Sequence, residues 1–489
     1  MMNISFAPCD VAHTTIVPLH MPSSGHEFAD LHNGSSIAEI LPLANLNFSQ
    51  TTAKDISVPD ETCLSTYTFV TIAGDDDTDM LRRLGANCAE TILKRVEDCE
   101  IALNSGLVNE FEHHHDGTFS FFLGLFLGLY RQTKVTSMDD GSIPCISVAL
   151  PHHSNVDRNA VKRACLIAEI VHFVRDLISA PPNILSPAGF ERAVAEKAAA
   201  IPDLDIQVYN ERQLTELGLR AFVAVGRASC EPSRMIVLRW KPEGEKPDLI
   251  SLIGKAVTFD AGGLCIQPGK GMDEMKGDMA GGAIAVGAVL AAAITESKGN
   301  VSAYIGVAEN VVGSNAFRPA DVLTMCNGTT VEVTNTDAEG RLILADIMSW
   351  VSANSPPRAM IDIGTLTGTM LSALGNDIAG FFSNDRALSE SLRASAHVAG
   401  EKVWEMPLDD CYLTHLKSES ADLKHFSYEG PGAITAALFL REFAGSIPWI
   451  HMDIGSNGMN TRRTAESPGW ASGAGVLTLL DLMRTEKPA

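Results

Sequence analysis

Positive charge is scarce in this sequence. Its 489 residues hold 37 Lys and Arg against 60 Asp and Glu, a formal net charge of −23. A surface of that sign repels phosphate backbones, whose affinity for proteins comes mainly from Lys and Arg contacts. Nucleic acid is therefore not expected as a partner, whereas solubility and attraction of divalent cations are favoured. Aromatic residues are also few, 6% of the chain. With frequent Gly and Ala, this favours close helix–sheet packing over a ligand cage built of rings. The ten cysteines are scattered and no two form a C-x-x-C pair. That argues against a zinc ribbon or a secreted disulfide scaffold, and for reduced thiols in a cytoplasmic protein. Between Met1 and Pro18 no basic region is followed by an apolar run, so no signal peptide is expected. The longest apolar run, Gly282 to Ile294, is short for a bilayer and reads as a buried helix, so no membrane partner is expected. H-E-x-x-H is absent as well, which removes the commonest single-zinc peptidase motif.

The length suits two domains, and 45% hydrophobic with 20% charged residues is ordinary for a soluble enzyme with a large core. Residues 1–155 read as a mixed α/β domain. Strand-like pieces (Thr66 to Ala73, Ile143 to Leu150) alternate with helical stretches (Asp79 to Ala102, Thr118 to Tyr130). Residues 156–180 read as a connecting helix, amphipathic from Asn159 to Ser179. It is stopped by Ala180-Pro181-Pro182-Asn183, because proline cannot continue a helix. In residues 181–489 the pattern becomes regular. Apolar strands at Leu249 to Gly254, Val301 to Ala308, Ala359 to Ile363 and Trp449 to Ile454 are joined by a shorter one at Thr330 to Thr334. They alternate with helices at Asp278 to Glu296 and Leu342 to Ala353. Such alternation predicts an α/β domain with a largely parallel central sheet flanked by helices, and sites beyond the strands' carboxyl ends.

Three polar loops fall at those ends. Lys255 and Asp260 lie in Gly254–Gly263, Asp278 closes Met272–Asp278, and Asp337, Glu339 and Arg341 lie in Asn335–Arg341. Each has an ordinary reading by itself. Asp278 could cap its helix, Asp260 could shape a turn, Asp337 and Glu339 could favour a helix dipole, and Lys255 could be solvated. Together they deliver several carboxylates to one edge. Carboxylates converging without a cation repel and drive their pKa values up, a conflict that a pair of divalent metals resolves.

The strings GKAVTFDAGG (254–263), GMDEMKGDMAGGA (271–283) and NTDAEGRL (335–342) resemble the signature segments of the leucyl aminopeptidase, or cytosol aminopeptidase, family. They occur in the family's order and spacing, and APPNILSP, RPADVLT, GTLTG and PGAITAALFL are similar to it too. The resemblance covers roughly residues 165–489. It implies an exopeptidase that removes single, preferably apolar, residues from free peptide N-termini, working as a homohexamer. It implies two metal ions held by Lys255, Asp260, Asp278, Asp337 and Glu339, with Asp260 and Glu339 bridging. Zinc, manganese or magnesium fits such ligands. A lysine ligand must be neutral, so its pKa is expected to be depressed beside two dications. Arg341 resembles the family arginine that holds a bicarbonate acting as general base. Leu366 and Gly368 would align the peptide backbone. Met275, Thr365 and Ala471 resemble positions lining the side-chain pocket.

One position departs from the family pattern. Where a second catalytic lysine belongs, this chain has Gln267, which can donate a hydrogen bond but carries no charge. Lys270 is three residues on and reads as a solvated loop lysine. Gln267 is the support for an alternative, a catalytically weakened relative serving as a structural or binding protein. A DNA-binding regulator, the third reading, is disfavoured by the charge. Other motifs read blandly. Asp75, Asp77 and Asp79 alternate as in a calcium loop, but Met80 stands where that loop needs Gly and Ala86 where it needs Glu. Phe111–Asp116 carries three adjacent histidines, which cannot easily face one ion and read as a polar loop. Cys265 lacks a histidine partner and reads as packing.

Overall fold

The computed structural model describes residues 4–5, 14–19, 52–59, 64–71, 78–94, 99–103, 107–108, 111–112, 116–132, 146–149, 156–244, 246–459, 461–467 and 469–484. The chain divides into two compact units. One comprises Met1–His172 with Arg463–Pro468, the other Phe173–Arg462 with Gly469–Ala489. The division falls inside the helix Arg158–Ser179.

The first unit holds a six-stranded sheet. Its strands are β1 (Ile4–Ser5), β2 (Thr14–Leu19), β3 (Thr52–Pro59), β4 (Leu64–Thr71), β5 (Cys99–Ala102) and β6 (Ile146–Ala149). They lie in the order β1-β6-β5-β2-β4-β3, parallel except for the β3–β4 pair. Helices Thr78–Leu93 and Gly117–Gly128 accompany it, the second burying Phe121, Phe122 and Phe126. One expectation is corrected here. The helix expected from Asp79 to Ala102 stops at Leu93, and Cys99–Ala102 is a strand. The buried pair Ile101 and Leu103, two residues apart, has the period of a strand face rather than a helix face. The acidic loop at Asp75 and Asp77 and the three histidines at 113–115 lie outside the described residues.

The second unit is built on an eight-stranded sheet. Its strands are β7 (Leu204–Asn210), β8 (Arg234–Trp240), β9 (Ile250–Asp260), β10 (Val301–Asn310), β13 (Ala359–Gly364), β14 (Ala379–Ser383), β15 (Val403–Glu405) and β17 (Trp449–Asp453). The order is β15-β14-β17-β13-β9-β10-β8-β7. The central run β17-β13-β9-β10 is parallel, so those four strands end on one edge. Strands β8, β7 and β14 pair antiparallel outside it. Continuous burial along β9, β10 and β13 is what a sheet covered on both faces requires. A three-stranded sheet of β11 (Val322–Thr324), β12 (Thr330–Glu332) and β16 (Leu423–Lys424) joins two loops that reach the same edge.

Two differences from the sequence reading affect the site. Strand β9 runs on to Asp260 instead of stopping at Gly254, so Lys255 sits mid-strand and not in a loop. The run Met272–Ile294, counting the 3-10 turn Met272–Gly277, is long and apolar enough to cross a membrane, whereas the apolar core Gly282 to Ile294 alone read as too short. Its most apolar 18 residues are 94% buried inside the protein, so it reads as a core helix packed on the sheet.

Candidate active site

The site forms where the four parallel strands end. Lys255 and Asp260 come from β9, and Asn310 ends β10 as the register partner of Asp260. Asp278 follows the 3-10 turn, Glu339 precedes the helix Gly340–Asn354, and Thr365 follows β13. The helix-capping reading of Asp278 does not hold. The helices at Ala280 and Gly340 have no side-chain cap hydrogen bond, and Asp278 and Glu339 turn inward.

Asp260, Asp278 and Glu339 each offer a carboxylate oxygen within 4.8 Å of the others. All three are buried, at 3%, 3% and 1% exposure. The Lys255 ammonium lies 2.8 Å from Asp278 Oδ1 and 2.7 Å from Glu339 Oε1, and donates to the Thr365 carbonyl at 3.0 Å. Its stem passes over Gly340, where a Cβ would come within 2.6 Å of Lys255 Cδ. Thr365 Oγ1 donates to Asp278 Oδ1 at 2.6 Å. Asp260 Oδ1 accepts from the Gly262 N–H at 2.7 Å and from Asn310 Nδ2 at 2.8 Å.

One ammonium among three carboxylates leaves negative charge in excess. Burial, then Glu339 and Asp278, hold the Asp260 carboxyl well above its ordinary range. Burial pushes Asp278 up to about 7, Lys255 opposing and Glu339 adding to it. For Lys255, burial pulls toward the neutral form, but Asp278, Glu339 and Asp260 outweigh it and hold the ammonium above its usual value. The depression expected beside dications is thus reversed when only the protein's own groups face it. Asp278 Oδ2 is buried without a hydrogen-bond partner among the described residues. An orphaned carboxylate oxygen in an over-acidic, dry cluster fits a divalent cation, which would supply the missing charge.

Asp337 stands at the rim, half-buried and outside the tight trio. Burial and then Glu339 raise it to about 6. Gln267 Nε2 donates to Asp337 Oδ1 at 2.8 Å, so the glutamine does reach the site. Lys270 is exposed and makes no ion pair with the described residues. Arg341 is 2% exposed, donates Nη1 to the His425 carbonyl at 2.8 Å, and lies 5.5 Å over the Phe426 ring. Burial, opposed by Glu339 and Asp453, lowers it to about 10, and its Nε has no partner among the described residues.

The expected peptide-binding residues divide. Thr365 is locked onto Asp278. The Leu366 N–H is spent on Asp453 Oδ1 at 3.2 Å, while Gly368 is exposed at the start of the helix Thr369–Leu374. Met275 is half-buried on the 3-10 turn, and Ala471 is buried. Lys276 stacks over Trp470 at 5.2 Å, so the turn carrying Met275 runs beside the segment carrying Ala471.

Four residues that shape the site escaped the sequence reading. Asn310 holds Asp260 and also donates to the Thr336 carbonyl at 2.9 Å. Thr336 Oγ1 donates to the Gly262 carbonyl at 2.7 Å and accepts from the Cys265 N–H at 2.8 Å. Asp453 accepts from the backbone N–H groups of Leu366, Thr367 and Gly455 and from the Thr367 hydroxyl. His425 places Nε2 2.9 Å from the Asn335 carbonyl, and burial and then Arg341 lower its pKa to about 3, so it is neutral and holds the loop before Asp337. A polar residue closing a mostly apolar, buried strand, as in Val301–Asn310 and Trp449–Asp453, was the clue that could have found two of them.

A buried acidic cluster at the carboxyl edge of a parallel sheet defines an α/β enzyme with its site at the strand ends. The chain belongs to the cytosol aminopeptidase family, whose catalytic-domain model matches residues 172–480. Membership places it among the metal-dependent aminopeptidases, hydrolases acting on peptides. It is 40% identical over 357 residues to a probable cytosol aminopeptidase of Methylobacterium radiotolerans, covering 73% of this chain and 70% of that one. A second, of Methylorubrum populi, is 41% identical over 371 residues, covering 74% and 73%. Among solved structures, the bottromycin maturation enzyme BotP in complex with Mn superimposes with a TM-score of 0.81 at 29% identity, covering 97% of this chain and 99% of BotP.

Proposed function

We propose that the protein removes single residues, preferably apolar ones, from free peptide N-termini, using two divalent cations held by Lys255, Asp260, Asp278, Asp337 and Glu339. The observation that carries this is the buried trio Asp260, Asp278 and Glu339, with Asp278 Oδ2 left without a partner among the described residues. Manganese or zinc is the metal of choice, magnesium the third candidate. Divalent cations, when held by these residues, would supply Lewis-acid charge for hydrolysis. The chain's own groups do the rest. Thr365 fixes Asp278, Asn310 and the Gly262 N–H fix Asp260, and Arg341 is the residue that would hold a bicarbonate as proton acceptor. The 365–368 loop aligns the peptide backbone, and Met275, Thr365 and Ala471 receive the first side chain. The assembly is a homohexamer in the cytoplasm, by family likeness alone.

Metal-free protein should hydrolyse no leucyl peptide, and added manganese or zinc should restore turnover. Equal turnover in chelated protein would sink the proposal. Gln267 is the one observation favouring a weakened binding protein. That reading wins if metal-loaded protein cleaves no peptide with a free N-terminus.

A further inference from the structure

Two loops meet at the rim of the acid cluster, 261–267 and 335–337, and they are zipped together by backbone and side-chain hydrogen bonds. Thr336 Oγ1 donates to the Gly262 carbonyl, the Cys265 N–H donates to Thr336 Oγ1, and the Thr336 N–H approaches Cys265 Sγ at 3.4 Å. Gly262 has a φ of +84°, and a Cβ there would fall 2.7 Å from Asp337 Oδ1 and 2.9 Å from the Gln267 N–H. The turn therefore admits only glycine and lays the Asp337 carboxylate directly on it. Gln267 is itself pinned, its N–H donating to the Ala261 carbonyl at 2.9 Å. From that fixed backbone its side-chain amide donates to Asp337 Oδ1 at 2.8 Å. No hydrogen bond reaches Asp337 Oδ2 among the described residues.

We propose that Gln267 is a positioning residue for Asp337. Its amide clamps one carboxylate oxygen and leaves the other for a cation, so that it sets cation affinity at the rim of the site rather than polarising the substrate. The inference rests on the reading of Asp337 as a cation ligand. One amide N–H is spent on Asp337, and that bond fixes where the side chain lies at the rim. Being neutral, it orients the carboxylate without cancelling its charge. A lysine at the same place would set an ammonium against Asp337, and like charge would then oppose a dication. Partners that orient a metal-ligating carboxylate typically account for about 10–100-fold in metal affinity.

Calorimetric titration of the metal-free full chain with Mn²⁺ tests this. The wild type should show a tight and a weaker class of site. Gln267→Met, which removes the donor at similar size, should weaken the weaker class about 10-fold. Gln267→Lys should weaken it at least as much, and both should leave the tight class and the thermal unfolding of metal-free protein unchanged. Two variants keep the test alive if one fails to fold. If both bind Mn²⁺ as the wild type does, the inference is overturned and the metal-site reading stands. If Gln267→Lys raises kcat without changing Mn²⁺ affinity, Gln267 acts on the substrate and the inference is again wrong. If the wild type binds no Mn²⁺, the metal-site reading fails and takes this inference with it.

Discussion

The acid cluster has an interior end and a rim, and the two are neutralised differently. In the interior, a buried ammonium, Lys255, pairs with Asp278 and Glu339, and Asp260 lies beside them. At the rim, the hydrogen-bond partner of the half-buried Asp337 side chain among the described residues is a neutral amide. Burying a charge costs too much unless it is paired, so the interior needs a cation from the chain or from solution. The rim keeps solvent as a partner and tolerates a dipole. The interior should therefore be intolerant of substitution and the rim tunable.

The largest effect should come from the interior. Asp260→Asn and Glu339→Gln should each cut kcat/KM by about 10³-fold or more, the scale of losing a group that acts on developing charge. Chelation should do the same to the wild type. Were Asp337 and Glu339 equal ligands, Asp337→Asn would be as severe as Glu339→Gln. A smaller loss for Asp337→Asn would sharpen the contrast, and a milder Asp260→Asn would break it. Next comes Gly340→Ala, whose Cβ would displace the Lys255 stem. A shift of this kind costs ~10²-fold in rate, with about 1–3 kcal/mol of stability lost to overpacking. Steady-state kinetics beside urea unfolding separates the two.

The rim is expected to be sensitive to acid through His425. Its folded pKa, about 3, lies below the ordinary unfolded value. The unfolded chain binds the proton first, so stability from neutral His425 is complete above about 6.5 and is lost as pH falls toward the folded value. Between pH 7 and 5 the wild type should lose on the order of 2 kcal/mol more than His425→Gln. Parallel slopes in urea unfolding would show that His425 is not the titrating group. The smallest effect belongs to Lys270→Ala, an exposed side chain beyond the site. Activity should stay within about two-fold, as for most surface substitutions. A crippled variant would move the missing family lysine's role to Lys270.

What could be read in the sequence follows from how local each feature is. Lys255, Asp260, Asp278 and Glu339 sit in short strings at apolar strand ends, and those strings declare themselves. Whether Asp278 capped its helix or faced inward was not readable, because that depends on Thr365, 87 residues away. Asn310, Asp453 and His425 escaped for the same reason, since their partners are far along the chain. Strand β9 was cut short at Gly254 because the charged Lys255 and Asp260 looked like loop residues. Pairing with β10 carries the strand through them, whereas pairing with β13 ends at Gly254. The false helix extension to Ala102 shows the opposite error, a local helical pattern overridden by sheet pairing of Cys99–Ala102 between β2 and β6.

The central claim is that this buried cluster serves cleavage at free peptide N-termini. Mass spectrometry of an apolar-ended peptide and its N-acetylated twin, each incubated with manganese-loaded protein, tests it directly. The account predicts a ladder of single-residue losses from the free peptide and an untouched acetylated one. Equal cleavage of both peptides, or of neither, would contradict it.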